Sequence, residues 1–273
     1  MSHTSLPPEL RLEETALSLG DASLKTRVIV VGIGGATCSG KTTLAKHLRR
    51  ILPNSIIIHQ DDFAPPQELI PMHPVYNVQD WDDPVGAIDW QRLVAFLKYV
   101  RQTGNIPGDH RSHDHLNEQK EVPIGDGLAK NWREHFEKAM IEREKRGAEE
   151  GERIIWGLLD GFLLYWDPDV ISQLDVRIFL RVPHDVLKQR REERHGYHTA
   201  EGALWRDPPD YFHQVVYPAY VTAHADSFEN GDVERGKPTG KVEGLIVLEP
   251  LKAEKGMESI VDSCCEVLNG LFQ

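Results

Sequence analysis

The sequence predicts an α/β chain, a mostly parallel sheet with helices on both faces. Three observations predict it. Continuous apolar runs, as in strands covered on both sides, occur at Val28–Val31, Arg153–Leu159 and Asp175–Val182. Segments of helical periodicity separate them, the first carrying Leu44, Ala45, Leu48, Ile51 and Leu52. The first run also breaks into Gly32-Ile33-Gly34-Gly35 and then opens a helix, the order of a strand–loop–helix unit.

Residues 1–26 contain Pro7-Pro8, Glu9, Glu13 and Glu14 without an apolar signal core, so a loosely attached arm is expected there. Residues 27–273 are expected to form one domain. A net charge of −12 speaks against a nucleic-acid surface, which needs concentrated positive charge. No apolar run approaches the ~20 residues of a membrane span. Cys38 and the adjacent Cys264-Cys265 make no disulfide framework, which points to a reducing compartment. The expected setting is cytoplasmic, with the nucleus also open, and the expected state is a monomer or homodimer.

Gly35-Ala36-Thr37-Cys38-Ser39-Gly40-Lys41-Thr42 fits the phosphate-binding pattern G-x-x-x-x-G-K-T, and Thr43 continues it into the helix. Glycines let backbone N–H groups turn toward an anion, and the helix N-terminus adds its positive end. In such a loop Lys41 reaches the terminal phosphates and the Thr42 hydroxyl ligates Mg²⁺. Cys38, a small side chain on a site made by backbone, is expected to be tolerant of substitution.

Beyond this helix, Pro53-Asn54 ends the run and Ser55–His59 reads as a short strand delivering Gln60-Asp61-Asp62-Phe63 at its C-terminal end. Ligands of open α/β sheets bind at that edge. Pro65, Pro66, Pro71 and Pro74 keep the chain irregular as far as Trp81-Asp82-Asp83-Pro84, and a helix follows from about Asp89. Residues 102–151 differ in character: a polar loop with His110, His113 and His115, then a charged helix bearing Trp132, Phe136, Ala139 and Met140. This segment is expected to be an insertion or lid-like hairpin, its histidines solvated rather than metal-bound. Arg153–Leu159 ends in Asp160-Gly161-Phe162. The helix after Pro183 carries Arg190, Arg191 and Arg194, a lid at about 185–210. Tyr211–Phe228 reads as a helix interrupted at Pro218, Leu245–Leu248 as the last strand and Met257–Phe272 as the last helix.

The phosphate loop alone implies a nucleoside triphosphate. A guanine-reading N-K-x-D stretch is absent from the sequence. A phosphotransferase needs an acid near the transferred phosphate, an acceptor site and mobile cations, and candidates for each are present. Asp61 or Asp62, with Asp61 preferred, can accept a hydrogen bond from a primary alcohol; a turn-capping pair is the alternative. Asp160 is either an acid that holds Mg²⁺ through water or a strand-end cap. Arg190 and Arg194 share a helix face while Arg191 lies ~100° round, so one face can clamp ATP and the other reach the acceptor. A solvated face paired with Glu192 and Glu193 is the bland reading.

Together, G-x-x-x-x-G-K-T-T-L-A, Q-D-D-F, W-D-x-P, D-G-F-L-L and R-R-x-x-R resemble the nicotinamide riboside kinases, a group of uridine kinase-like P-loop kinases. The resemblance covers most of 28–100 and 153–220. It implies a P-loop kinase fold with a lid, and transfer of the ATP γ-phosphate to the ribose 5′-hydroxyl of nicotinamide riboside. By motif, Asp61 matches the family's proton acceptor and magnesium-site acid, and Thr42 its magnesium hydroxyl. Asp62 and Phe63 complete the substrate-side motif. Asp82 matches the residue holding the ribose hydroxyls, and Trp81 the aromatic against the base. Arg191 resembles the substrate-side lid arginine, Arg190 and Arg194 the ATP-side ones. Tyr197 is expected on the substrate side. Uridine or cytidine kinase, another small-alcohol kinase, or a catalytically weak nucleotide-binding regulator are the alternatives. Three departures stand out: Asp160 where many members carry Glu, a longer loop around Tyr197, and the segment 102–151.

Overall fold

The computed structural model describes residues 25–117, 120–145, 152–194 and 196–272. The expected arm therefore lies almost entirely outside the described residues, as does His195.

Strand β1 (Lys25–Gly35) leads through the glycine loop into α1 (Lys41–Ile51), and β2 (Ser55–His59) follows. Helix α2 (Trp90–Thr103) is capped by the Asp89 side chain, which accepts from the Arg92 N–H, and it stops at Gly104. Then come α3 (Asp126–Glu144), β3 (Glu152–Gly161), the single turn α4 (Pro168–Ile171), β4 (Val176–Leu180) and α5 (His184–Glu192). A small antiparallel hairpin, β5 (Tyr197–His198) with β6 (Leu204–Trp205), precedes α6 (Tyr217–His224), β7 (Leu245–Leu248) and α7 (Met257–Asn269).

The main sheet has the order β2-β3-β1-β4-β7, and every pairing in it is parallel. Alternate residues of β1 feed opposite layers. Val28 and Val30 pack with α2, α4 and α6, while Ile29, Val31 and Ile33 pack with α1, α3 and α7. Both faces are thus apolar, which is why the strand reads as an unbroken run. The parallel arrangement sends the C-terminal ends of β1, β2 and β3 to one edge, where Gly35, His59 and Asp160 meet.

Two expectations change. The segment 102–151 is not a lid-like hairpin: Phe136 and Met140 of α3 are buried in the layer with α1 and α7, and Trp132 donates to Asp262 of α7 at 2.7 Å. Its charged character belongs to one exposed face, and its apolar stripe belongs to the core. The helix near Pro218 is not interrupted either. Phe212–Val216 winds as a π turn and runs on into α6, with the Tyr217 N–H donating to the Phe212 carbonyl. Pro218 has no N–H for the usual i−4 bond, and the wider turn upstream absorbs that loss without ending the helix.

Candidate active site

The glycine loop sits at the centre of this edge. Gly40 is at φ +100, a left-handed conformation that a side chain would strain, and α1 starts from it. Lys41 is 9% exposed and its Nζ donates to the Ala36 carbonyl at 2.7 Å, across the loop it closes. Burial lowers its pKa, and the nearby Asp160 and Asp61 carboxylates oppose that effect. Ser39 Oγ is buried without a partner, a polar atom facing an unfilled requirement in the cradle.

His59 and Asp160 stand opposite each other in the β2–β3 register. Their side chains meet at 2.9 Å, Nδ1 to Oδ1, and Thr42 lies near enough to favour the charged carboxylate. Burial opposes the charge on Asp160, yet His59, Thr42 and Lys41 hold its pKa below the usual carboxylate range. Burial likewise works against a charged His59 ring, but Asp160, Asp114 and Asp62 raise its pKa to about 9. Asp160 Oδ2 is buried with no hydrogen-bond partner.

The two aspartates after β2 diverge. Asp61 has an edge open to solvent, while the protein packed around it and the Asp160 charge push its pKa to about 6. Asp62 turns inward: the His113 N–H donates to its Oδ1 at 3.4 Å, and His110 Nε2 lies 3.6 Å from Oδ2. Phe63, expected at the acceptor, is buried edge-on against Phe96 and stacked with His110. Of this motif, Asp61 is the residue exposed to solvent, while Asp62 lines the same cleft from a buried position. His110 and His113 are therefore packed against Asp62 and not solvated, whereas His115 is exposed. A polar cleft of about 300 Å³ lies here, lined by Thr42, His59, Asp61, Asp62, Asp114 and His198 among others.

Beside Ala36 and Thr37 of the loop, Asp82 is buried and its pKa rises to about 6 through burial, despite Arg191 nearby. Arg191 forms a two-pronged pair with Asp207, at 2.6 and 3.0 Å, and approaches Asp82 at 3.9 Å. The Trp81 and Trp205 rings are 5.7 Å apart and tilted by 54°. Trp205 Nε1 donates to Asp207 at 3.0 Å, and the Tyr211 hydroxyl accepts from the Trp81 N–H and donates to the Gln79 carbonyl. Sequence reasoning missed Trp205, Asp207 and Tyr211. They follow a loop of unmatched length, and only contact in space ties them to Trp81 and Arg191.

The arginines divide as their helical spacing suggests. Arg190 Nη1 donates to the Cys38 carbonyl at 3.1 Å, and Arg194 lies over the Tyr197 ring, 4.2 Å from its centre, with Nη1 4.0 Å from Cys38 Sγ. Tyr197 touches both sets of residues: its hydroxyl reaches Thr37 Oγ1 at 3.4 Å and Cys38 Sγ at 3.3 Å on the phosphate loop, while Arg191 lies 4.7 Å over its ring. The longer β5–β6 hairpin folds it back there.

The donor set fits a divalent cation that keeps water and phosphate ligands: one hydroxyl, Thr42, the free Oδ2 of Asp160, and Asp61 facing the same cleft. Among the described residues no three His, Cys, Asp or Glu side chains converge as in an all-protein metal cage. No described helix is long and apolar enough to cross a membrane.

No protein-family model matches the chain. Curated proteins do. The nicotinamide riboside kinase of Schizosaccharomyces pombe is 33% identical over 246 residues, covering 90% of this chain and 98% of that protein. That of Saccharomyces cerevisiae is 32% identical over 243 residues, covering 86% and 89%. That of Eremothecium gossypii is 34% identical over 206 residues, covering 76% and 80%. Identity at this level across nearly whole chains places the protein in a family: it belongs to the nicotinamide riboside kinases.

Proposed function

We propose that the protein transfers the γ-phosphate of ATP to the ribose 5′-hydroxyl of nicotinamide riboside, giving nicotinamide mononucleotide for NAD synthesis. The observation that carries this reading is the placement of two acids of different setting, near enough to feel each other's charge, beside one phosphate loop. Asp61 faces the cleft beside Lys41, and Asp82 lies buried beside Arg191. Asp82 holds the ribose diol through charge-assisted hydrogen bonds. Asp61 then receives the hydrogen bond of the primary hydroxyl and takes its proton late, since phosphoryl transfer is loose and needs little early deprotonation. A carboxyl of pKa about 6 is ionised at neutral pH yet basic enough for that step.

Lys41, Arg190 and Arg194 stand around the phosphate loop and offset charge on the transferring group. Thr42 and Asp160, with Asp61, are the residues that would hold Mg²⁺, whose chemistry is to neutralise and orient the phosphate oxygens. The pyridinium ring of the substrate meets the Trp81 and Trp205 faces, a cation–π contact of about 0.5–2 kcal/mol. The cysteines are free, with Cys264 and Cys265 buried, which suits a reducing cytoplasm.

The test is the purified protein with Mg-ATP and separate ribosides: nicotinamide riboside, nicotinic acid riboside, uridine and cytidine. The expected result is a phosphorylated product with the highest kcat/KM for nicotinamide riboside. A preference for uridine, or ATP hydrolysis without a riboside phosphate, would overturn the reading.

A further inference from the structure

Asp160 ends β3 with its carboxylate buried, and one of its two oxygens is pinned from the neighbouring strand. His59 Nδ1–H donates to Asp160 Oδ1 at 2.9 Å, and the two side chains are 12% and 6% exposed. The other ring nitrogen, Nε2, lies 3.7 Å from Asp114 Oδ2. Asp114 is itself fixed, with Lys46 Nζ of α1 at 2.8 Å from the same oxygen. Both ring nitrogens therefore face carboxylates, and the ring has no lone pair directed at the cleft. What it leaves exposed to chemistry is Asp160 Oδ2, the buried oxygen with no partner.

We propose that His59, braced by Asp114, is a positioning residue that fixes Asp160 so that Oδ2 faces the divalent cation accompanying ATP. The inference rests on the assignment of Thr42 and Asp160 as cation-holding residues. A carboxylate turns about two side-chain bonds, and pinning one oxygen to a ring that cannot move sets the direction of the other. Outer partners of this kind are worth about 10–100-fold in metal affinity. The arrangement also gives the loop before α3 a role. Asp114 comes from that loop, so the segment that sequence reasoning left as an insertion reaches back to the metal side of the cleft.

The experiment is Mn²⁺ binding by electron paramagnetic resonance in the presence of ADP, with metal-free ADP affinity measured alongside by calorimetry. His59→Leu should weaken Mn²⁺ by about 10–100-fold and leave metal-free ADP binding unchanged. His59→Asn, whose amide N–H can replace the Nδ1–H donor, should recover most of that loss. Asp114→Asn should show a smaller loss of the same sign. Wild-type Mn²⁺ affinity in His59→Leu, or equal loss in the Leu and Asn variants, overturns the proposal. Should His59→Leu also lose metal-free ADP, Asp114→Asn decides, and wild-type Mn²⁺ affinity there overturns it. An Asp160→Asn control separates the layers: if that variant keeps wild-type Mn²⁺ affinity, the cation assignment itself has failed.

Discussion

Arg191 Nη2 stands 3.9 Å from Asp82 Oδ2, both side chains are almost withdrawn from solvent, and Asp207 holds the arginine from the other side. A guanidinium tied to one acid presents a fixed fork toward the second, and the hydroxyls of a ribose can bridge that gap. Asp82→Ala removes the acceptor and leaves Arg191 facing it. The expected rise in KM for nicotinamide riboside is about 10–100-fold, as for hydrogen bonds to charged groups of ~1.5–3 kcal/mol. Arg191→Lys should also lose affinity, because an ammonium cannot reproduce the two-pronged contact with Asp207. Steady-state kinetics at saturating Mg-ATP check both; an unchanged KM in Asp82→Ala contradicts the ribose assignment.

The same acid sets a pH dependence of stability in the ligand-free protein. Burial pushes the Asp82 carboxyl to about 6, above its ordinary 3.8, even with Arg191 beside it. Between about pH 4 and 6 the folded chain retains a proton that the unfolded chain has lost. Stability contributed by this group therefore rises as pH falls through that window, and above about 6 the folded state bears the full cost of the buried charge. Asp82→Asn should raise the ligand-free Tm near pH 8, by about 2–10 °C for ~1–3 kcal/mol. The gain should vanish toward pH ~4. Calorimetry across this range checks it, and a lower Tm for the variant near pH 8 contradicts the argument.

Lys41 supplies a third expectation. Its Nζ is tied to the Ala36 carbonyl inside the loop, so the charge is already aimed across the phosphate cradle before any ligand enters. Preorganised charge of this kind acts mainly on the transition state. Lys41→Ala should lower kcat by ~10² or more while riboside KM changes little. Single-turnover and steady-state rates with nicotinamide riboside measure it, and an unchanged kcat contradicts the phosphate-loop assignment.

The parallel character of the sheet, the phosphate loop and the acid at the end of β3 were legible because each rests on local pattern. Val28–Val31 is apolar on both faces, Gly40 begins a helix in a left-handed turn, and every pairing in the main sheet is parallel. What stayed hidden depends on contacts distant in sequence. Asp61 and Asp62 are neighbours with equivalent chemistry, and only the 110–113 loop folding onto Asp62 separates their settings. Tyr197 could not be placed from spacing, because the hairpin of β5 and β6 reverses the chain onto Thr37 and Cys38. Helix α3 read as an insertion because its exposed charges outnumber the narrow stripe of Phe136 and Met140.

Trp81 and Trp205 make a paired prediction. Their rings meet at 5.7 Å, and Trp205 is anchored through Asp207 to the same Arg191 that faces Asp82. A flat cationic ring gains from both indole faces, whereas a neutral pyrimidine gains only contact. Trp205→Ala and Trp81→Ala should each raise KM more for nicotinamide riboside than for uridine, by a factor of about 2–30. Equal effects on both ribosides, measured as kcat/KM ratios, would remove the rings from recognition of charge.

Cys38 provides the last test, since its backbone and its side chain make separable demands. The residue is at φ +59, where glycine is comfortable, a small unbranched side chain is tolerated and a β-branched one is strained. Its carbonyl accepts from Arg190, and its sulfur meets the Tyr197 hydroxyl at 3.3 Å. Cys38→Ser keeps the shape and offers the hydroxyl a better partner, so activity should stay within about twofold. Cys38→Gly should keep the loop conformation and lose only the side-chain contact. Cys38→Val should force the loop out of its left-handed turn at a cost of roughly 1–2 kcal/mol and weaken Mg-ATP binding about 5–30-fold. Nucleotide titration by calorimetry on the three variants checks the order. Loss in Cys38→Ser as large as in Cys38→Val would show that the thiol itself, and not the backbone it sits on, matters to this loop.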